Sequence, residues 1–260
     1  MSRIAVGIEY DGSAYAGWQA QPSLPTIQEV TERALSRIAA EPVNLVCAGR
    51  TDAGVHALGQ VAHFDTRAVR APRGWVLGGN SELPPDISLS WALLVPEHFH
   101  ARYSAEARTY RYLILNRAAR SALYAHRAAC VHRSLDPERM QLAARSLEGE
   151  HDFSAFRSAE CQAKSPIRRL ERLSIARHGE WVLIEATANA FLHHMVRNVA
   201  GLLIAIGKGD LPPGRAAEVL ASRDRAQSAA TAPAAGLYLH AVRYPQAFAL
   251  PGPAAGDLFP

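Results

Sequence analysis

Residues 47–64 read CAGRTDAGVHALGQVAHF, and the rest of the chain is arranged around them. Apolar runs at 43–48 and 61–64 predict two strands, joined by a loop holding Gly49, Gly54, Gly59 and the triplet Arg50-Thr51-Asp52. Glycines let such a loop turn sharply and bring backbone close to a ligand. An arginine two residues from an aspartate, on a turn held at both ends, can keep a carboxylate ionised and aimed outward. Asp-Ala-Gly is equally an ordinary turn whose aspartate caps its own backbone. On residues alone, Asp52 is either a turn former or the reactive group.

Composition sets wider bounds. At 260 residues the chain can bury a large core in one or two domains. The opening MSRIAVGIEYDG alternates like a strand and has no apolar stretch of a secretory leader. The longest apolar run, residues 199–206, is too short to span a bilayer, so no membrane is expected. Cys47, Cys130 and Cys161 are few and far apart, forming neither a disulfide framework nor a CxxC metal site. They predict a reducing, cytoplasmic setting. The formal charge of +4, carried by arginine except at Lys164 and Lys208, permits a polyanionic partner.

Along the chain, Ile4, Val6, Ile8 and Tyr10 share one face of a strand over 3–10, followed by a turn at Asp11-Gly12. The next loop carries Tyr15 and Trp18, which either stack on bases or cover the core edge. Thr26-Ile27-Gln28-Glu29 is a capping box; Ile27, Val30, Ala34, Leu35 and Ile38 follow at helical spacing, and Pro42 ends the helix. A helix weakened by glycines covers 72–80, and a strand covers 87–93. Arg108, Tyr110, Tyr112 and Ile114 share one strand face. Asp136-Pro137 opens a helix with Met140, Ala143, Ala144 and Leu147 inward, stopped by Gly149. A hairpin over 167–177 and 180–189 turns at His178-Gly179. A buried helix over 192–206, closed by Gly207, a short helix over 213–222 and a strand over 237–244 complete the pattern.

The recurrence of strand, helix and hairpin predicts an α+β fold. Its two related α/β halves would carry antiparallel sheets joined into one central sheet, with an active-site cleft between them. The expected divisions are an N-terminal domain over 1–100 carrying the Asp52 loop, a C-terminal domain over 101–246, and a loosely held tail over 247–260.

Several other motifs fail. His193 and His194 are adjacent, and neighbours point apart in regular structure, so no metal is expected. Gly201 to Lys208 has five residues between its glycines and no Ser or Thr after the lysine, so it is not a phosphate loop. No nucleophile elbow occurs. Arginines are dense at Arg102, Arg108, Arg111, Arg117, Arg120 and Arg127, and again from Arg157 to Arg172 with Lys164. Aromatics interleave with the first cluster and few acids accompany it, which favours RNA over a merely solvated face.

The run GRTDAGVHA followed by GQVAHF resembles the signature of the tRNA pseudouridine synthase A family. So do IEYDGSAYAGWQ, FHARYSAEARTYRY, NAFLHHMVRN and GLYLHAVRYP, which occur in order across nearly the whole chain. The resemblance implies an isomerase that converts uridine to pseudouridine at nucleotides 38, 39 and 40 of the tRNA anticodon stem-loop. It further implies a homodimer that needs no cofactor. Carried over by motif, Asp52 is the catalytic nucleophile, Tyr110 contacts the target base, Arg197 pairs with Asp52, Leu237 packs against the base and Arg50 helps hold the extruded nucleotide. Each has a plainer alternative: Tyr110 as a core aromatic with its hydroxyl bonded, Arg197 bonded to a helix carbonyl or an unrelated acid, Leu237 as an ordinary strand residue. A silent RNA-binding module is a competing reading, against which an intact GRTD loop speaks. A nucleoside or glycoside hydrolase is another, for which no second carboxylate is evident.

Overall fold

A computed structural model describes residues 1–252. Two compact units form within it: residues 1–106 with the described part of 238–258, and residues 107–237. The expected α+β class is found, with a large mixed sheet rather than a wholly antiparallel one, since two of the pairings given below run parallel.

In the first unit, β1 (Ser2–Tyr10) lies between β3 (His56–Thr66) and β4 (Ile87–Val95), antiparallel to both. Being central, it is buried on both faces. Ile4, Val6 and Ile8 fill one side as the alternation predicts, while Ala5 joins a second apolar cluster with Val61, Val95 and Phe99. Helices α1 (Ile27–Ala39) and α2 (Pro72–Glu82) pack together, and Trp75 of α2 meets Phe64 of β3 edge to face at 5.2 Å. Each such fully buried side chain contributes ~1.5–3 kcal/mol of apolar burial. The Thr26 side chain caps α1 by accepting from Glu29 N. The helix ends at Ala40 in a left-handed conformation, two residues before Pro42.

The run 43–48 does not form the strand its apolar residues suggest; only β2 (Val46–Cys47) pairs with β3. The preceding amides are claimed by α1 side chains, Val43 N donating to Ser36 Oγ at 2.9 Å and Leu45 N to Glu32 Oε1 at 2.7 Å. Gly59 lies inside β3, not in the loop. A Cβ there would stand 2.3 Å from the His240 carbonyl oxygen of β10 (Leu237–Arg243), which runs parallel to β3. Phe248 and Leu250 pack against the Phe99 cluster, and residues 253–260 lie outside the described residues.

Glu41 joins the α1–β2 connection to the end of β3, accepting from Thr66 Oγ1 at 2.5 Å and from Arg67 N at 2.6 Å. The Thr66 hydroxyl and then the Arg67 backbone and side chain hold its carboxyl at about 2, against an ordinary 4.5. A depressed folded-state value means that this stability is present above pH 4.5 and is lost as pH falls through about 2. Glu41→Gln is therefore expected to melt lower than wild type at pH 7, with the gap closing between pH 4.5 and 2; thermal melts across that range check it.

In the second unit, β5 (Ala107–Asn116), β9 (Trp181–Ala188), β8 (Ile167–His178) and β7 (Gly149–Asp152) follow one another antiparallel, with β6 (Ala129–Val131) parallel on β5. The β8–β9 hairpin forms as expected but turns at Gly179-Glu180, one residue later than His178-Gly179, because His178 stays in β8 paired with Trp181. Strands β6 and β7 are unannounced in the sequence because both are too short for periodicity to register. Asn116 holds β6 in place, donating to Val131 O and Arg133 O at 2.8 and 2.7 Å. Helix α3 (Pro137–Arg145) is capped by Asp136, which accepts from Glu138 N and Arg139 N. It ends before Gly149, which opens β7 instead. The apolar helix α4 (Met195–Gly207) is buried almost all round, and α5 (Arg215–Ser222) follows. No helix of the described residues is long and apolar enough to cross a membrane.

Candidate active site

The Asp52 loop is fixed from several sides within the first unit. Val55 N donates to Asp52 O at 3.1 Å, closing a four-residue turn whose third position, Gly54, has φ +75°. That positive angle suits glycine and belongs to a type II turn. The buried Thr51 hydroxyl bonds the Tyr10 hydroxyl at 2.8 Å, and Trp18 N donates to Thr51 O at 3.0 Å. Gly17, at φ +93°, allows this approach: a Cβ there would sit 2.6 Å from Thr51 O. Behind the loop, the fully buried Gln60 donates to Gly49 O at 2.6 Å. His56 accepts from Gly12 N at 3.1 Å through Nδ1 and stacks on Tyr238, centroids 4.6 Å apart. Tyr10 is legible in the sequence only as part of a strand face, and Gln60 and Tyr238 not at all; buried polar groups inside apolar strands are the available signal.

Asp52 itself is half-buried, and Arg50, two residues before it, is exposed. Of the two aromatics left open between base stacking and core, Trp18 is 1% exposed and belongs to the core. Tyr15 donates its hydroxyl to Asp86 at 2.8 Å, and burial and that carboxylate push its ionisation well up.

The second unit carries the remaining candidates. Tyr110 lies on β5 opposite Ala186, 8% exposed, with Phe191 edge-on to its ring at 5.1 Å. Arg197, in the first turn of α4, donates from Nε to Ala232 O at 2.9 Å, and Ala232 N donates back to Arg197 O. The acceptor of its Nε is thus a loop carbonyl, neither the helix carbonyl nor the acid of the plainer alternatives. Leu237, 6% exposed, opens β10 just beyond that segment, so Arg197 and Leu237 are linked through residues 232–236. Tyr112 steadies the same segment by donating its hydroxyl to Pro233 O at 2.8 Å.

Asn198 does more than the sequence suggested. It is 1% exposed on a helix whose only other charged or polar side chain is Arg197, donates to Phe156 O, and accepts from Arg225 Nη2 and Thr231 Oγ1 at 3.1 and 2.7 Å. One side chain therefore ties α4 to the loop leading into Leu237.

His193 and His194 overturn the reasoning that adjacent histidines face apart. They precede α4 rather than lying in it, His194 has φ +63°, and their rings sit 4.1 Å apart. Their turn is anchored by Ser158 N donating to His193 O and by His193 N donating to Cys161 Sγ at 3.4 Å. The arginine runs are not uniformly solvated either: Arg111 is committed to Glu185 at 2.8 Å within the sheet.

A family model described as tRNA pseudouridine synthase matches residues 7–104 and 143–245, which include the Asp52 loop and the Arg197 helix. This chain belongs to the tRNA pseudouridine synthase family. Similar to it is the tRNA pseudouridine synthase A of Methylococcus capsulatus, 56% identical over 95% of this chain and 92% of that protein. The tRNA pseudouridine synthase A of Citrobacter koseri is 52% identical over 99% of this chain and 95% of its own length. Among solved structures, a chain of an archaeal box H/ACA ribonucleoprotein complex superposes with a TM-score of 0.37 at 12% identity, over 77% of this chain and 44% of that one. This family member thus spans less than half the length of that chain.

Proposed function

We propose that this chain isomerises uridine to pseudouridine in tRNA, and that its targets are nucleotides 38, 39 and 40 of the anticodon stem-loop. The observation that carries the reading is the GRTD loop: its aspartate sits on a turn immobilised by Tyr10, Trp18 and Gln60, in a chain of the matching family. A turn former alone does not require neighbours on every side. Held this way, a carboxylate loses little freedom when it meets a substrate.

The reaction breaks the bond from C1′ to N1 and makes one from C1′ to C5; C5 loses a proton and N1 gains one. Atoms balance without redox or hydrolysis, and the chemistry needs no cofactor. Asp52 is the nucleophile of this proposal. It can add to C1′ or to C6, giving a covalent intermediate, or can stabilise a glycal route. Arg197 pairs with Asp52, keeping it ionised without taking its proton. Tyr110 contacts the base, its ring stacking and its hydroxyl serving proton traffic at C5. Leu237 packs against the base, and Arg50 helps hold the extruded nucleotide. Unstacking the uridine costs a few kcal/mol, offset by phosphate contacts from the basic surface. The enzyme acts in the cytoplasm as a homodimer.

Product analysis tests the reading. Unmodified tRNA incubated with the purified protein is expected to yield pseudouridine at 38–40 with no uracil released. Released uracil would mean a hydrolase, and binding without either product would mean a silent RNA-binding module.

A further inference from the structure

Within the first unit, residues 98–104 make a second ordered feature on the same molecule. Ser104 N donates to His100 O, His100 N donates to Ser104 Oγ, and the His100 Nδ1 accepts from both Arg102 N and Tyr103 N at 3.1 Å. The imidazole is therefore locked in place. Tyr103 packs on it, ring centroids 4.3 Å apart and 30° from parallel. Beneath lie His63 at 4.9 Å from His100, and Phe99 at 5.9 Å from His63. This column of rings is rooted in the core, where Phe99 is wholly buried, and ends at Tyr103, which is 77% exposed. Burial, and then the Arg3 guanidinium, push His63 down to about 4 and lower His100 as well. The column is thus uncharged at neutral pH, and the cation at its tip is Arg102, 5.7 Å over the tyrosine ring.

An aromatic fixed at the surface differs from an ordinary exposed tyrosine, because ordering it on binding costs little. Its chemistry, a π-face beside a guanidinium, matches an unpaired base and its phosphate.

We propose that Tyr103 and Arg102 form a stacking platform for an unpaired base of the RNA substrate other than the reacting uridine, with Arg102 on the adjoining phosphate. The inference rests on the proposed tRNA activity. It assigns Tyr103 to substrate binding and not to chemistry.

The test uses the full chain and an unmodified tRNA transcript, reading binding and pseudouridine formation together. Tyr103→Ala is expected to weaken tRNA binding about fivefold to a hundredfold, the range for loss of one base–aromatic stack, with the loss in KM rather than kcat. Tyr103→Phe keeps the ring and is expected to retain affinity. Arg102→Gln is expected to weaken binding and lower the salt dependence by about one phosphate contact. Tyr103 is exposed, so thermal melts of the variants should overlay wild type. Binding by Tyr103→Ala equal to wild type overturns the platform while leaving the activity intact. So does Tyr103→Phe as weak as alanine, or a change in the oligomeric state of Tyr103→Ala without RNA, which would make the ring a contact between copies. Wild type that neither binds nor modifies tRNA overturns both readings.

Discussion

Asp52→Asn is expected to bind unmodified tRNA within about threefold of wild type and to form pseudouridine at least about a thousandfold more slowly, the scale on which loss of a nucleophile is felt. The amide has nearly the shape of the carboxylate and can keep the turn closed by Val55 N on Asp52 O, since that bond is made by the backbone. What it lacks is a negative charge. An amide oxygen is a poor nucleophile and gives little support to positive charge developing at C1′, so the loss falls on the chemical step. Asp52→Ala is a useful companion, since the two variants should be equally slow if charge rather than turn geometry is what matters. Single-turnover pseudouridine formation, run beside a binding titration, separates the two contributions.

Asn198→Ala is expected to destabilise the fold by about 2–4 kcal/mol, as one buried and two part-buried hydrogen bonds are lost. The Phe156 carbonyl loses its donor, and the half-buried Arg225 and Thr231 lose a shared acceptor. Arg225 keeps Ala229 O and Thr231, so the cost stays below that of an isolated buried charge. Asn198→Asp preserves both acceptor bonds and sets a carboxylate against Arg225, but turns the donor facing Phe156 O into a second acceptor, so it should recover only part of the loss. Because residues 225–232 lead into the segment held by Arg197, Asn198→Ala should also lower kcat. Thermal or urea unfolding checks the first part; an alanine variant melting with wild type would show the network to be dispensable.

These two residues mark how far the sequence could be read. The GRTD loop was legible because nine consecutive residues matched a family pattern, and because glycines beside an aspartate announce a turn. The hairpin at Gly179 and the cap at Asp136 were legible through local chemistry, which neighbours do not override. Residues 43–45 were misread because an apolar run predicts burial and not bonding partners. Ser36 and Glu32 satisfy their amides from a helix, and nothing local records that. His193 and His194 differ from expectation for a related reason: neighbours point apart only on regular backbone, and His194 has a positive φ. Asn198 carried a signal that was passed over, a polar residue on a helix apolar nearly all round, which must find buried partners. The Tyr103 column depends on His63, forty residues away, and on Phe99, whose packing no sequence spacing encodes.

The central claim is that one carboxylate, Asp52, drives exchange of the C1′ bond from N1 to C5. Release of tritium from tRNA labelled at C5 of its uridines follows that exchange directly, since C5 must give up its hydrogen. Wild type is expected to release tritium in step with pseudouridine formed, and Asp52→Asn none above background over the same time. Tritium release by Asp52→Asn at the wild-type rate would contradict the account.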